Sequence, residues 1–499
     1  MRRFLISVFY LNFALAACAQ SLADFEKKVT EFTLPNGLHF LLVERHEAPV
    51  VSFDTFVNTG SINDPAGSTG LAHMFEHMAF KGTETIGTNN WTAEKKAMED
   101  IERAYDELDA ERSKGQRASR ARLEVLQASL KLAIGRAQDY VKPNEYTTII
   151  EQNGGVGLNA GTGVASTEYF YSLPSNRIEL WFLLEAQRFI HPVFREFYKE
   201  RDVVMEEYRQ RVESSPQGLL LQNFRAAAFE AHPYRNPAGG WPSDIRNLRV
   251  SDAKAFFERY YTPSNMNIAI VGDVNPAEAK RLAEKYFTPL SARPTPPPIH
   301  TEEPAQLGPR TVVVESKAQP VAAIGYRRPD QFDKDDAVFD VIAMILTNGR
   351  TSLLRKDLVQ DKRLSLAVDC APTYPDGRYP NLFVFLLVPA QGHTIEDNQQ
   401  ELDAVLAGLI SKKTDAATMA RVKTKVRAQV IAQLDHNSGL ASLLTRYYGS
   451  YGDWRKLFTS IDDIAKVTPE DVQRVAAAYF TKQNRTVAYS TLPAAGGRR

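Results

Sequence analysis

Residues 244–269 read DIRNLRVSDAKAFFERYYTPSNMNIA, and residues 463–488 read DIAKVTPEDVQRVAAAYFTKQNRTVA. The two segments align without a gap, and each has the pattern of a turn, a helix, a second turn and a strand. The identical pairs are Asp244/Asp463, Ile245/Ile464, Asp252/Asp471, Tyr260/Tyr479, Thr262/Thr481, Asn265/Asn484 and Ala269/Ala488. A unit shared by both halves of the chain predicts two duplicated domains; the alternative is two unrelated helix–strand pairs.

A proline-rich segment, residues 290–306, separates the two halves. Its proline density excludes helix and central strand and predicts an extended linker. The predicted domains are therefore residues 24–289 and 307–493. Both contain alternating apolar segments typical of strands and longer segments with helical periodicity. The predicted fold class is α+β, with two duplicated domains that each pack helices on a mostly antiparallel or mixed sheet.

One segment of the first domain, about residues 93–140, is highly charged and has helical spacing. A break at residues 113–115 (Ser-Lys-Gly) predicts a hairpin of two helices. It is either a solvated insertion, or an element that gates a site or contacts a partner.

The N-terminus has the pattern of an export signal. Arg2 and Arg3 precede an apolar stretch that is too short to span a bilayer comfortably. Residues 1–19 are predicted to be a signal peptide, cleaved before Gln20 or, as in bacterial lipoproteins, before a lipidated Cys18. Both alternatives predict an exported protein, located in the bacterial periplasm, whose only membrane contact would be a lipid anchor.

The charge balance disfavours nucleic-acid binding, and the cysteine content excludes one kind of metal site. The chain of 499 residues has 60 basic and 60 acidic side chains, so no net positive field favours nucleic-acid binding. Its only cysteines are Cys18 and Cys370, so cysteine ligation of zinc is excluded by count.

The stretch GLAHMFEHMAFKG, residues 70–82, places two histidines and a glutamate in an apolar helical run. We expect a buried helix over residues 70–80, capped by Ser68 or Thr69. Burial of an unpaired carboxylate costs several kcal/mol, and a divalent cation removes that cost.

The spacing of these three residues is typical of a catalytic zinc site. His73 and His77, at i and i+4, can direct their imidazoles at one point. Glu76 lies on the same face, where it can act as a general base on a water held by the metal. This H-x-x-E-H order is the reverse of the more common H-E-x-x-H.

A third ligand is expected from KERDVVMEEYRQR, residues 199–211. In a helix Glu206 and Glu207 point in different directions, so at most one of them faces the metal. Glu207 shares its face with Glu200.

The H-x-x-E-H motif followed by E-R-x-V-V-x-E-E resembles the pitrilysin/insulinase family of zinc peptidases, in its two-domain bacterial and mitochondrial processing-peptidase branch. The resemblance covers nearly the whole chain after the signal and also includes LNAGTGVASTEYFYSLP and YYTPSNMNIAIVGDV. It implies the ligands His73, His77 and Glu207, with Glu76 as general base. It also implies that Glu200 orients a histidine from outside the ligand set.

The resemblance further implies a substrate-binding edge strand and a chamber. Asn159, Ala160 and Gly161 are expected to pair with the main chain of an extended peptide, although the glycine also suits a simple turn. In the family the second domain presents an arginine and a tyrosine to the substrate. This chain has Val359 and Leu366 there. We therefore expect a second, zinc-free subunit that supplies the pair and closes a clam-shell chamber, whereas a homodimer or monomer with weaker catalysis is the alternative.

The predicted function is an exported zinc metalloendopeptidase that hydrolyses peptides or unfolded segments. Two alternatives are a non-catalytic assembly subunit of the same family and a peptide-binding protein without turnover. The complete metal motif disfavours the assembly subunit, because scaffolding needs none of these groups.

Overall fold

The structure is a computed structural model that describes residues 25–493, so the predicted signal peptide and Cys18 lie outside the described residues. The strands within that range are β1 (Val29–Thr33), β2 (His39–Glu44), β3 (Val50–Val57), β4 (Val156–Thr162), β5 (Thr167–Pro174), β6 (Met266–Gly272), β7 (Arg310–Glu315), β8 (Ala322–Arg328), β9 (Ser365–Tyr374), β10 (Asn381–Pro389) and β11 (Arg485–Thr491).

The first half of the described chain contains the helices α1 (Leu71–Met78), α2 (Trp91–Arg112), α3 (Arg120–Gln138), α4 (Glu145–Gln152), α5 (Ile178–Ile190), α6 (Phe197–Tyr208), α7 (Pro216–Ala228), α8 (Pro242–Asn247), α9 (Val250–Tyr260) and α10 (Pro276–Phe287). The second half contains α11 (Asp336–Thr347), α12 (Ile395–Ser411), α13 (Ala416–Leu434), α14 (Asn437–Tyr451), α15 (Lys456–Lys466) and α16 (Pro469–Tyr479). Two short π-helical segments are also present. Arg209–Glu213 directly follows α6, and Arg355–Asp361 lies between α11 and β9. None of the helices in residues 25–493 has the length and apolar character needed to cross a membrane.

The strands form two mixed sheets with the same internal order. The first runs β1-β2-β6-β3-β5-β4, and the second runs β7-β11-β8-β10-β9. In each sheet one pair is parallel, β2 with β6 and β11 with β7, and the remaining pairs are antiparallel. Apart from the additional strand β1, the sheets therefore match strand for strand. The predicted α+β class with duplicated sheets is confirmed.

The repeat residues have the same structural role in both halves. The side-chain amide of Asn265 donates a 2.9 Å hydrogen bond to the carbonyl of Tyr260, and that of Asn484 donates one of 3.0 Å to the carbonyl of Tyr479. Each bond closes the turn between a helix and the following central strand, which explains why the asparagine recurs.

Each half contributes a helix to the sheet of the other half. Helix α7 packs on the second sheet, where Phe224 lies in one core with Ala488. Helix α14 packs on the first sheet, where Leu444 lies in one core with Ala269. Both alanines are fully buried repeat residues, and their small side chains leave room for the helix. The two halves therefore share packed cores although the segment 291–309 between them has no helix or strand.

The charged segment forms the predicted hairpin. Helices α2 and α3 pack against each other and are joined by a short turn around residues 113–119. Its bounds, residues 91–138, are close to the predicted 93–140.

Candidate metal centre

Helix α1 begins after Gly70, whose φ of +91° is readily accessible only to glycine. The carboxylate of Asp64 accepts hydrogen bonds from the amides of Gly70 (2.7 Å) and Ala72 (2.8 Å). Asp64 therefore caps the helix, and the prediction of Ser68 or Thr69 as the cap is wrong. The carboxylate that accepts these bonds lies in the turn before the helix. A search for a capping residue next to the first helical residue therefore did not find it.

The two histidines of α1 and one glutamate of α6 converge. Glu207 Oε2 lies 3.5 Å from His73 Nε2, and Glu207 Oε1 lies 3.6 Å from His77 Nε2. One ligand atom from each of the three residues lies within 4.8 Å of the others. The structure thus brings together the three side chains that the sequence predicts as ligands.

The tautomer of His77 places a lone pair opposite the carboxylate of Glu207. The Nδ1 atom of His77 lies 3.2 Å from Oε2 of Glu200, and a carboxylate accepts, so the proton of a neutral imidazole sits on Nδ1. Nε2 of His77 then presents a lone pair to the carboxylate of Glu207. Two acceptors aimed at one point in a mostly buried site are stabilised by a cation between them.

The donor set fits zinc. A tetrahedral zinc ion with bonds of about 2.0–2.1 Å holds its ligands about 3.3 Å apart, close to the two separations of 3.5 and 3.6 Å. Two imidazoles and one carboxylate are also a ligand set of catalytic zinc, which keeps a fourth position open.

Burial keeps His73 in the form that binds metals. It lowers the pKa of His73 to about 3, and the neighbouring His77 and Arg211 act in the same direction. The imidazole is therefore neutral at physiological pH, as a ligand must be.

The adjacent glutamates of α6 point in different directions, as expected. Glu207 faces the two histidines. Glu206 is half exposed and forms a surface ion pair with Arg209. Only Glu207 is placed to act as a ligand.

Glu200 precedes Glu207 by about two turns of the same helix. It contacts His77 and is not one of the three clustered residues. Its second oxygen, Oε1, accepts a 2.5 Å hydrogen bond from the ammonium of Lys81. Burial alone would raise the pKa of Glu200, but the hydrogen bonds from His77 and Lys81 outweigh it and hold the pKa below its usual value. The carboxylate is therefore ionised and keeps the His77 ring oriented. Sequence reasoning missed Lys81, which lies beyond the end of α1 and pairs with Glu196 and Glu200.

Glu76 lies on α1 beside the cluster but is not part of it. Its Oε2 accepts a 2.6 Å hydrogen bond from the hydroxyl of Thr162 at the end of β4. Burial raises the pKa of Glu76, and the Thr162 bond opposes that effect. A carboxylate with a raised pKa that binds no metal is suited to proton transfer.

Strand β4, which contains Asn159, Ala160 and Gly161, is an edge of the first sheet. It pairs with β5 on one side only, and its residues are exposed or half-buried. Since Thr162 ends this strand at Glu76, an added peptide strand would pass beside the candidate base.

The two positions at which the resemblance implies an arginine and a tyrosine lie on the second domain. Val359 is in the π-helical segment Arg355–Asp361 and packs against the second domain's core. Leu366 is on the edge strand β9 and is 59% exposed. Neither side chain offers a hydrogen-bond donor.

Comparison with protein families gives two matches that together cover most of the chain. The profile described as "Insulinase (Peptidase family M16)" matches residues 39–108 and 131–240. The profile described as "Peptidase M16 inactive domain" matches residues 247–426. The first match includes all the candidate site residues, and its gap, residues 109–130, is the outer part of the α2–α3 hairpin.

Individual relatives agree with this assignment. A zinc protease PqqE from Helicobacter pylori is 28% identical over 97% of both chains. A probable mitochondrial-processing peptidase subunit beta from Arabidopsis thaliana is 23% identical over 91% of this chain and 76% of its own. Among solved structures, a protease from Helicobacter pylori superposes with a TM-score of 0.77 at 27% identity, over 93% of this chain and 99% of its own. The periplasmic protease PqqL from Escherichia coli shares the fold, with a TM-score of 0.69 at 16% identity over 93% of this chain and 48% of its own. The chain therefore belongs to peptidase family M16, the pitrilysin/insulinase family.

Proposed function

We propose that this protein is an exported zinc metalloendopeptidase that hydrolyses peptides or unfolded protein segments. The observation that carries the proposal is the convergence of His73, His77 and Glu207, beside a fourth group, Glu76, that is held by Thr162 outside the ligand set. A purely structural metal site closes all its positions with protein ligands and needs no such base.

His73, His77 and Glu207 would hold the metal, and Glu200 would keep His77 in the required tautomer. The chemistry that zinc supplies when bound is polarisation of the scissile carbonyl and acidification of water. Glu76 takes the proton of the attacking water and delivers it to the leaving amine. The hydrogen bond from Thr162 holds the carboxylate of Glu76 in place beside the three proposed ligands.

Substrate would bind by adding a strand to β4. Pairing through Asn159, Ala160 and Gly161 uses the peptide's main chain, so it orders an extended segment with little sequence preference. A folded protein has no free strand of this kind to offer, and unfolded segments are the expected substrates.

The chain would work with a second, zinc-free subunit. Val359 and Leu366 donate no hydrogen bond to the charge that develops on the scissile carbonyl, and a partner would supply donors there. Purification from the native source is expected to recover this subunit together with the chain. Full activity of the chain alone would contradict the heterodimer.

Export to the periplasm is supported by the sequence of residues 1–19 and by the periplasmic PqqL neighbour. The intact mass of the native protein distinguishes a lipidated chain that starts at Cys18 from one that starts at Gln20. A mass that retains residues 1–17 would contradict both.

The test of the function is a peptide-cleavage assay on the purified complex, with and without a chelator, together with its zinc content. The zinc-loaded protein should cleave, the chelated protein should not, and Glu76→Gln should keep zinc while losing activity by about 10²–10⁴-fold. Equal cleavage by Glu76→Gln would remove Glu76 as the base. Zinc-loaded protein that captures peptide without cleaving it would overturn the peptidase assignment.

A further inference from the structure

The α2–α3 hairpin contacts the start of the helix that carries the third ligand. Gln138, the last residue of α3, donates a 2.5 Å hydrogen bond to Oε1 of Glu196. Glu196 immediately precedes α6, and its φ of +58° is unusual for a residue with a side chain. Such a backbone conformation persists when surrounding contacts determine it.

Two more side chains of the hairpin bind residues at the start of α6. The buried carboxylate of Glu94 in α2 binds the guanidinium of Arg195, at 2.5 Å to Nε and 3.0 Å to Nη2. Glu102 accepts a 2.9 Å hydrogen bond from the hydroxyl of Tyr198. Hairpin side chains therefore hold α6 from its cap into its first turn.

Lys81 connects these contacts to the metal site. Its ammonium lies 3.0 Å from Oε2 of Glu196 and 2.5 Å from Oε1 of Glu200, and it is mostly buried. Since Lys81 occupies one oxygen of Glu200, the other oxygen is directed at Nδ1 of His77. A continuous chain of contacts runs from Gln138 through Glu196, Lys81 and Glu200 to a predicted ligand.

We propose that Gln138, Glu196 and Lys81 are positioning residues through which the hairpin sets the metal affinity of the site. None of them is a predicted ligand, and each acts by fixing the carboxylate of Glu200 on His77. The inference rests on the proposed zinc function. It gives the hairpin a role in metal binding, which differs from both a solvated insertion and a gate.

The experiment compares zinc affinity in the full-length protein, measured by competition with a chromophoric chelator. Lys81→Met should raise the zinc dissociation constant by about 10–100-fold, as loss of such outer contacts does elsewhere. Lys81→Arg, which keeps the cation, should recover part of that loss. Gln138→Leu should raise the constant by roughly threefold, because it acts one contact further away.

The matched control is Gln116→Leu, the same substitution at an exposed position in the turn of the hairpin. It should leave zinc affinity unchanged. The visible spectrum of the cobalt-substituted protein should change in Lys81→Met but not in Gln116→Leu, because the spectrum reports ligand geometry rather than stability.

Wild-type affinity in both Lys81→Met and Gln138→Leu would overturn the inference. So would losses of affinity that only follow a lower melting temperature of the metal-free protein, with an unchanged cobalt spectrum. A wild-type protein that binds no zinc would instead refute the proposed function, and the wild-type measurement alone detects that case.

Discussion

The hydroxyl of Thr162 donates a 2.6 Å hydrogen bond to the carboxylate of Glu76. The bond joins the last residue of the exposed edge strand β4 to the candidate base on α1. A peptide added to β4 would therefore have a defined position relative to the candidate base.

Thr162→Val should reduce peptide cleavage without removing zinc. Valine preserves the shape and strand propensity of threonine but donates no hydrogen bond, so Glu76 loses the contact that orients it. We expect kcat to fall by about 10–100-fold, since a hydrogen bond to a charged group contributes about 1.5–3 kcal/mol. Steady-state kinetics on one peptide measure the effect. Thr162→Ser, which restores the hydroxyl, should recover most of kcat; no recovery would mean that the hydroxyl is not what matters.

Glu207→Gln and Glu206→Gln form a matched pair one residue apart on α6. Removal of the Glu207 charge should weaken zinc binding by at least about 100-fold, because a direct ligand matters more than the outer contacts that cost 10–100-fold. Glu206 only pairs with Arg209 at the surface, and its loss should have no measurable effect on zinc. Metal content after dialysis, with competition titration, checks both. Equal zinc loss in the two variants would show that helix stability, not ligation, was changed.

The candidate site was largely predictable because its information is local. His73, Glu76 and His77 lie within five residues, and helical spacing alone places them on one face. Glu207 needed the family resemblance, since helical geometry showed only that Glu206 and Glu207 could not both face the metal. Lys81 was missed because its partners, Glu196 and Glu200, are more than 100 residues away in the chain.

The fold was predictable to the level of two related sheets and the charged helical hairpin. The recurrence of Asn265 as Asn484 predicted the duplication, and equivalent hydrogen bonds explain it. The exchange of α7 and α14 between the two sheets was not predicted. Each helix has an ordinary apolar face, and nothing in that face states which of two similar sheets it covers.

The buried carboxyl of Asp340 is expected to make the free energy of unfolding depend on pH, independently of the metal site. Burial raises the pKa of this α11 carboxyl to about 7, and the neighbouring Asp336 adds to the effect while Arg328 opposes it. Because this pKa lies above the unfolded value of 3.8, the associated stability is full below about pH 4 and is lost as the pH rises through about 7. Asp340→Asn cannot ionise. It should melt at a higher temperature than the wild type at pH 8, and this advantage should be clearly smaller at pH 5, where only part of the stability has been lost.

Thermal unfolding of the metal-free proteins at both pH values measures this difference. Asp462→Asn is the control, because Asp462 is exposed on α15. Its difference from the wild type should be the same at both pH values. A constant difference for Asp340→Asn as well would show that the carboxyl does not titrate between them.

The contact of α14 with the first sheet is tested by two glycines in helices. A Cβ atom at Gly449 would lie 2.3 Å from Cε1 of Phe56, a buried ring on β3, whereas a Cβ at Gly408 in α12 would meet nothing within 4 Å. Gly449→Ala should therefore destabilise the protein by about 1–3 kcal/mol, because the helix must move off the sheet. Gly408→Ala should stabilise it by about 0.5–1 kcal/mol, because alanine loses less backbone entropy in a helix. Calorimetric unfolding distinguishes the two, and a Gly449→Ala variant as stable as Gly408→Ala would show that α14 does not pack on β3 as closely as the structure places it.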